Sequence, residues 1–173
     1  MALNAKNDVR ESVYSSATQS QNVQMSREQW CDSVLQRMTT KEKIAQLFVI
    51  WTKAGYIPDD SKQWQEKIRF AKEIGVGGFY FSHGTAYGFA VNANKLQSVA
   101  KIPLLLSADF EWGTGMRISE ATTFPRAMAH AATRDTNLSY TMGKAVAREA
   151  RAIGIRQVYS PDVDINNNPK NPV

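Results

Sequence analysis

The residues best placed to do chemistry are Asp109 and Arg117, eight positions apart in the stretch Ile102–Arg117, which reads IPLLLSADFEWGTGMR. A carboxylate accepts hydrogen bonds and a guanidinium donates them from a planar fork, so the two at one rim would clamp vicinal hydroxyls. The loop between them carries Gly113 and Gly115 and is long enough to fold Arg117 back beside Asp109. Glu111, in the same loop, reads as a structural carboxylate, a partner for the Arg117 guanidinium. Asp162 and Asp164 bracket a strand end and bring paired acids or a metal to mind, but no ligand set completes such a site. His83 stands at the end of an apolar run, where an acid/base role is conceivable. His130 sits among alanines in a helical turn and reads as a packing residue, and Asp135 is sufficiently explained as a helix cap.

These side chains need elements to hold them. Pro103 sets an extended approach, and Ile102, Leu104, Leu105, Leu106 and Ala108 follow without polar alternation, the pattern of a parallel strand buried on both faces. Asp109 ends that run, which puts an acid at the carboxyl end of a buried strand, where α/β barrels and open parallel sheets keep their chemistry. Upstream, Ser26 with Gln29 and Thr39 with Glu42 form two capping boxes. The first opens a helix with Trp30, Val34, Leu35 and Met38 at helical spacing, in which Cys31 reads as a packing residue. The second opens a short helix that runs toward a first strand within Leu47–Trp51. Ser61 to Ile74 is an amphipathic helix carrying Trp64, Ile68, Ala71 and Ile74, stopped by Gly75. Val76–Phe81 is a second buried strand. Gly77 and Gly78 in it are not a dinucleotide fingerprint, since they do not open a helix; they leave room. A helix over about Gly88–Ala100 precedes the Asp109 strand. Asp135 starts another, with Leu138, Met142, Val146 and Ile153 on its apolar side and Gly154 at its end, and Ile155–Val163 is a fourth strand before a loop at Asn166–Pro169.

Strand and helix thus alternate, which means parallel strands joined by right-handed crossovers. Four such units are either a small open sheet or half of an eight-unit barrel; the pattern itself leaves both open. With 173 residues the chain suffices for one domain. The formal charge of +5 comes from basic residues scattered singly, without the clustered stripe that phosphate binding needs, so nucleic acid is not an expected partner. A single cysteine excludes an internal disulfide and a cysteine metal cluster. No apolar run approaches the length of a membrane span, and the first residues lack a signal peptide's apolar centre, so the reading is of a cytoplasmic chain with no membrane partner. Residues 1–25 are polar and rich in Ser, Gln and Asn and read as a disordered leader, leaving 26–173 as the folded part.

Taken in order, these residues resemble the amino-terminal catalytic barrel of glycoside hydrolase family 3, in its β-N-acetylhexosaminidase branch. Met38–Leu47 (MTTKEKIAQL) resembles the family's MTLEEKIGQL. Gly75-Val76-Gly77-Gly78, the Asp-x-Glu-x-Gly-x-x-x-Arg block from Asp109, Thr123–Ala129 with Ala132–Asp135, and the Asn-x-Asn-Pro-x-Asn-Pro-Val run from Asn166 follow in the family's order. The resemblance implies a (β/α)8 barrel of TIM type, present here as about its first half, about four β/α units, with an added N-terminal helix. It implies hydrolysis with retention through a glycosyl-enzyme intermediate, without metal or cofactor. It implies that Asp109 and Arg117 bind hydroxyls of a terminal N-acetylglucosamine or glucose. The nucleophile and the acid/base His fall later in the family's order than Val173, so no catalytic residue is expected within this chain and His83 is assigned a structural role. Asp164 matches an aspartate of the fourth strand that holds loops.

The chain departs from the family pattern at Trp112, where a glycine is usual, and at Asp162, which is odd inside a buried strand. Half a barrel would leave open strand edges and an uncovered interior, so self-association is expected. The alternatives are a β-glucosidase-type or phosphorolytic family member and a non-catalytic sugar-binding remnant.

Overall fold

The computed structural model describes residues 25–163, 167, 168 and 170; the leader at 1–24, Asp164, and most of the closing Asn-Pro run lie outside the described residues. The chain divides into two compact units, Met1–Arg37 and Met38–Val173. In the first, α1 (Arg27–Arg37) begins as its capping box predicts: Ser26 N donates to Gln29 Oε1 at 2.8 Å, and Gln29 N donates to Ser26 Oγ at 3.2 Å. No residue of α1 is buried, and Cys31 is exposed. The packing role expected for Cys31 is therefore not observed.

The second unit opens with α2 (Thr40–Ala45), where Thr39 and Glu42 satisfy each other's backbone donors as a complete capping box. Four parallel strands follow: β1 (Val49–Ala54), β2 (Gly78–Gly84), β3 (Leu105–Ala108) and β4 (Gln157–Val158). They are joined by α3 (Lys62–Arg69, prolonged by a π-turn over Phe70–Ile74), α4 (Ala86–Val99), α5 (Ala127–Thr133) and α6 (Thr136–Ala152). Their order in the sheet is β1-β2-β3-β4. Each strand adds on the same side of the last, which is the winding of a barrel wall; a doubly wound open sheet reverses direction part-way. This resolves the choice that periodicity left open.

Burial agrees with that winding. Phe79 and Phe81 of β2 and Leu106 and Ala108 of β3 face the helices and are fully buried. Ring contacts at 5.5 Å between Phe81 and Phe89, and at 6.5 Å between Phe89 and Phe110, run from β2 through α4 to the residue after Asp109. On the opposite face Val49 is 43% exposed, Trp51 49% and Leu105 45%. The expectation that β3 is buried on both faces is thus corrected in part: on the barrel-interior face Leu105 is open, whereas Ser107 on the same face is buried. The strands also begin later than the apolar runs suggested, because the runs include the turns that deliver the chain to the sheet. Leu47 and Phe48 belong to the turn after α2, and Val76 and Gly77 to the link after the left-handed Gly75 (φ 75°). The fourth strand is much shorter than Ile155–Val163, and Asp162 lies beyond it, exposed, so it is not an acid in a buried strand.

The glycines at the entry to β2 are required by close backbone approach. A Cβ on Gly77 would stand 1.9 Å from the Gln46 carbonyl oxygen, and one on Gly78 would stand 2.0 Å from that of Leu105. Gln46 is held there because its Nε2 donates to the Gly75 carbonyl oxygen at 2.8 Å, which ties the α2 motif to the Gly75–Gly78 motif. Gly78→Ala is expected to destabilise the unit by about 3 kcal/mol or more, since neither strand can yield without breaking the ladder. Chemical denaturation checks this, and an unchanged midpoint would remove the close-approach account.

Candidate functional site

Asp109 follows β3 directly, and Phe110, buried in the aromatic row, fixes where the chain turns. Gly113 (φ 106°) turns it again into a single 3-10 turn, Thr114–Met116, and Arg117 comes back to the rim. Arg117 Nη2 donates to Asp109 Oδ2 at 2.5 Å, the pair predicted from spacing. Both side chains are partly buried, at 17% exposed for Arg117 and 24% for Asp109, so their attraction is less screened than that of a surface pair.

The loop is held from two sides. On α6, Glu149 accepts from the Thr114 hydroxyl, and from the Thr122 hydroxyl at 2.5 Å. Burial would raise the Glu149 carboxyl, but these donors outweigh it and keep the group below the ordinary glutamate range. On the sheet side, Gly84 N donates to the Arg117 carbonyl oxygen at 3.0 Å, and Gly84 forms a parallel bridge with Ile118. Residues of this loop thus lean on the end of β2 as well as on α6.

Two further side chains join the pair. The Tyr80 hydroxyl donates to Asp109 Oδ2 at 2.6 Å, and Arg117 Nη1 lies 3.2 Å from His83 Nε2. A guanidinium can only donate, so His83 Nε2 accepts. The structural role assigned to His83 is thereby given a partner, the guanidinium itself. Tyr80 was missed from the sequence. Its signal is in the register, which pairs Tyr80 with Ser107, so the tyrosine stands diagonally from Asp109 on the open face. Burial pushes the Tyr80 phenol up to about 12, reinforced by the hydrogen bond to Asp109, so it is a proton donor at any physiological pH. Tyr159, after β4, sets its ring 6.1 Å from that of Tyr80.

Glu111 does not pair with Arg117 among the described residues. Its carboxyl is raised above the usual glutamate range by burial, and by the Asp162 and Asp109 carboxylates, with Arg117 opposing. Trp112 turns its ring under Arg126, whose guanidinium carbon is 4.6 Å from the ring centre. A cavity of about 440 Å³ lies between α5, α6 and the end of β4, lined among others by Glu111, His130, Met142 and Val146. His130 packs there half-buried, with its buried Nε2 unpartnered among the described residues. Asp135 caps α6 as predicted, accepting from Asn137 N at 2.9 Å.

The structure thus brings Asp109 and Arg117 together at the end of a barrel-wall strand, and the family model for the glycosyl hydrolase family 3 N terminal domain matches residues 39–173. The chain belongs to glycosyl hydrolase family 3. Over 145 residues it is 36% identical to a beta-N-acetylglucosaminidase/beta-glucosidase of Cellulomonas fimi, covering 83% of this chain and 24% of that protein. It is 34% identical over 89 residues to beta-hexosaminidase A of Pseudoalteromonas piscicida, covering 49% of this chain and 15% of that protein. A solved beta-glucoside phosphorylase, BglX, bound to 2FGlc superposes with a TM-score of 0.73 at 27% identity, over 86% of this chain and 26% of that one. This family 3 chain therefore spans about a quarter of the length of the Cellulomonas fimi protein and of the BglX chain. The sheet described above is part of a TIM-like family barrel.

The raised Glu111 carboxyl gives a pH signature. Its folded-state pKa lies above its unfolded value of about 4.3, so its stabilising contribution is complete below that value and lost as pH rises through the folded one. Glu111→Gln is expected to gain stability relative to the parent at pH 7 and to lose that gain near pH 4. Thermal unfolding at both pH values measures it, and an equal difference at both would contradict the assignment.

Proposed function

We propose that this family 3 chain carries the sugar-holding rim of a retaining glycoside hydrolase that releases terminal β-linked N-acetylglucosamine. The observation that carries the reading is the joined Asp109–Arg117 pair at the carboxyl end of β3. A carboxylate that accepts sugar hydroxyls in a partly dry site makes hydrogen bonds of about 1.5–3 kcal/mol each. The relative at 36% identity bears both a beta-N-acetylglucosaminidase and a beta-glucosidase name, and the one at 34% is named a beta-hexosaminidase, which supports an N-acetyl sugar among the substrates. Relatives named as beta-glucosidases stand at 27% and 28%. On this reading the aspartate nucleophile and the acid/base His come from sequence outside residues 1–173, and residues 1–173 bind without cleaving.

A second reading, glucoside phosphorolysis, is favoured by the likeness to the phosphorylase BglX. The two part when the chain is completed with the second half of a family 3 barrel and assayed on aryl N-acetylglucosaminide and aryl glucoside, with and without phosphate. The first reading expects the N-acetyl substrate to be preferred and phosphate to be without effect. Asp109→Ala in that enzyme is expected to lower kcat/KM about tenfold to a hundredfold, the loss of one charged hydrogen bond. Unchanged kinetics would remove Asp109 from the substrate site.

The open face of Val49, Trp51 and Leu105 also supports the expected self-association. Sedimentation velocity on the 173-residue chain is expected to show association that rises with concentration, and a strict monomer across that range would contradict it.

A further inference from the structure

In the Asp109–Arg117 clamp, the residues that fix its shape come from β2. Two donors, Arg117 Nη2 and the Tyr80 hydroxyl, converge on Asp109 Oδ2, and no described residue donates to Oδ1. On the guanidinium, Nη2 is taken by Asp109 and Nη1 by His83, while Nε is buried with no partner among the described residues. A guanidinium whose Nε is unmatched is oriented only through its two terminal nitrogens, so the His83 contact decides its tilt. A carboxylate held through one oxygen by one donor can swing about its Cβ–Cγ bond; the second donor, on a ring fixed in the sheet, stops it. The Tyr80 phenol is protonated at neutral pH as any tyrosine is, and its raised pKa extends that range.

We propose that Tyr80 and His83 are positioning residues of the clamp: Tyr80 locks Asp109 so that Oδ1 alone faces the sugar, and His83 aligns Arg117 through Nη1. One end of the substrate's hydroxyl pair then meets a single fixed oxygen, and the other meets a guanidinium of fixed tilt. The same strand secures the Arg117 backbone through Gly84 N, so β2 holds the clamp at three points. The sugar in this statement rests on the function proposed above; the locking itself does not.

The test uses the 173-residue chain and its Tyr80→Phe, His83→Ala and His83→Gln variants. The Arg117 guanidinium is followed by 15N NMR, and N-acetylglucosamine and glucose are titrated in turn. Separate, slowly exchanging Arg117 Nη signals are expected in the parent. They should merge in Tyr80→Phe and His83→Ala and persist in His83→Gln, whose amide oxygen replaces the acceptor. Sugar affinity should fall about tenfold in the first two and be kept in the third, with far-UV circular dichroism and melting midpoints unchanged in all. Parent-like Arg117 signals in His83→Ala, or in a folded Tyr80→Phe, would overturn the proposal. His83 is exposed, so its two variants decide the matter even where Tyr80→Phe disturbs folding. If the Arg117 signals respond as expected but no sugar saturates the parent, the positioning stands and the sugar reading fails.

Discussion

The structure depends on how closely its backbones approach around the glycines of β2 and the start of α4. Carbonyl oxygens of Gln46, Leu105 and Ala54 occupy places where side-chain carbons would otherwise stand, at Gly77, Gly78, Gly84 and Gly88. Because β2 has no Cβ at Gly78 and Gly84, β1 and β3 can close on it in parallel register, Val49 with Gly78 and Gly78 with Leu105. That register puts Tyr80 diagonally across from Asp109. It also brings the Gly84 amide under the Arg117 carbonyl oxygen. A wider spacing would separate the donors from the carboxylate they share.

From this constraint the site follows in layers. The row Phe81, Phe89 and Phe110 anchors the residue after Asp109 in the core, so the carboxylate emerges at a fixed point of the rim. Gly113 and Gly115 let the loop turn back; a Cβ on Gly115 would meet the Thr123 hydroxyl at 2.2 Å. Glu149 then pins the loop through Thr114 and Thr122. Hydrogen bonds to a charged acceptor are about twice as strong as neutral ones, which suits a loop carrying a cation. The bulk of Trp112, where the family has glycine, is taken up by stacking on Arg126.

The two faces of the sheet behave differently for a reason visible in their residues. The helix side carries Phe and Leu against α3, α4 and α6, while the other side mixes Val49, Trp51, Tyr80 and Leu105 with Ser107 and Gln157. A face that is partly apolar and partly polar suits the layered inside of a closed barrel better than open solvent. Tyr80 owes its role at Asp109 to being on this face. No described helix is long and apolar enough to cross a membrane, and no described group of His, Cys, Asp or Glu could hold a metal ion.

Local chemistry by itself determined much of this protein: both capping boxes, the left-handed stop at Gly75, the cap at Asp135, the alternation of strand and helix, and the Asp109–Arg117 pair joined by a glycine loop. Each of these depends on residues within a few positions of one another, so spacing is enough to find them. Only the tertiary structure decided what depends on pairing between distant segments. Strand ends shifted because apolar runs do not distinguish a strand from the turn that delivers it, as at Leu47 and Phe48. Leu105 is exposed although it lies in an uninterrupted apolar run, because such a run does not say which faces have neighbours. Tyr80 and His83 entered the site through a parallel register and a loop bridge, and neither is encoded in the spacing of residues along the chain.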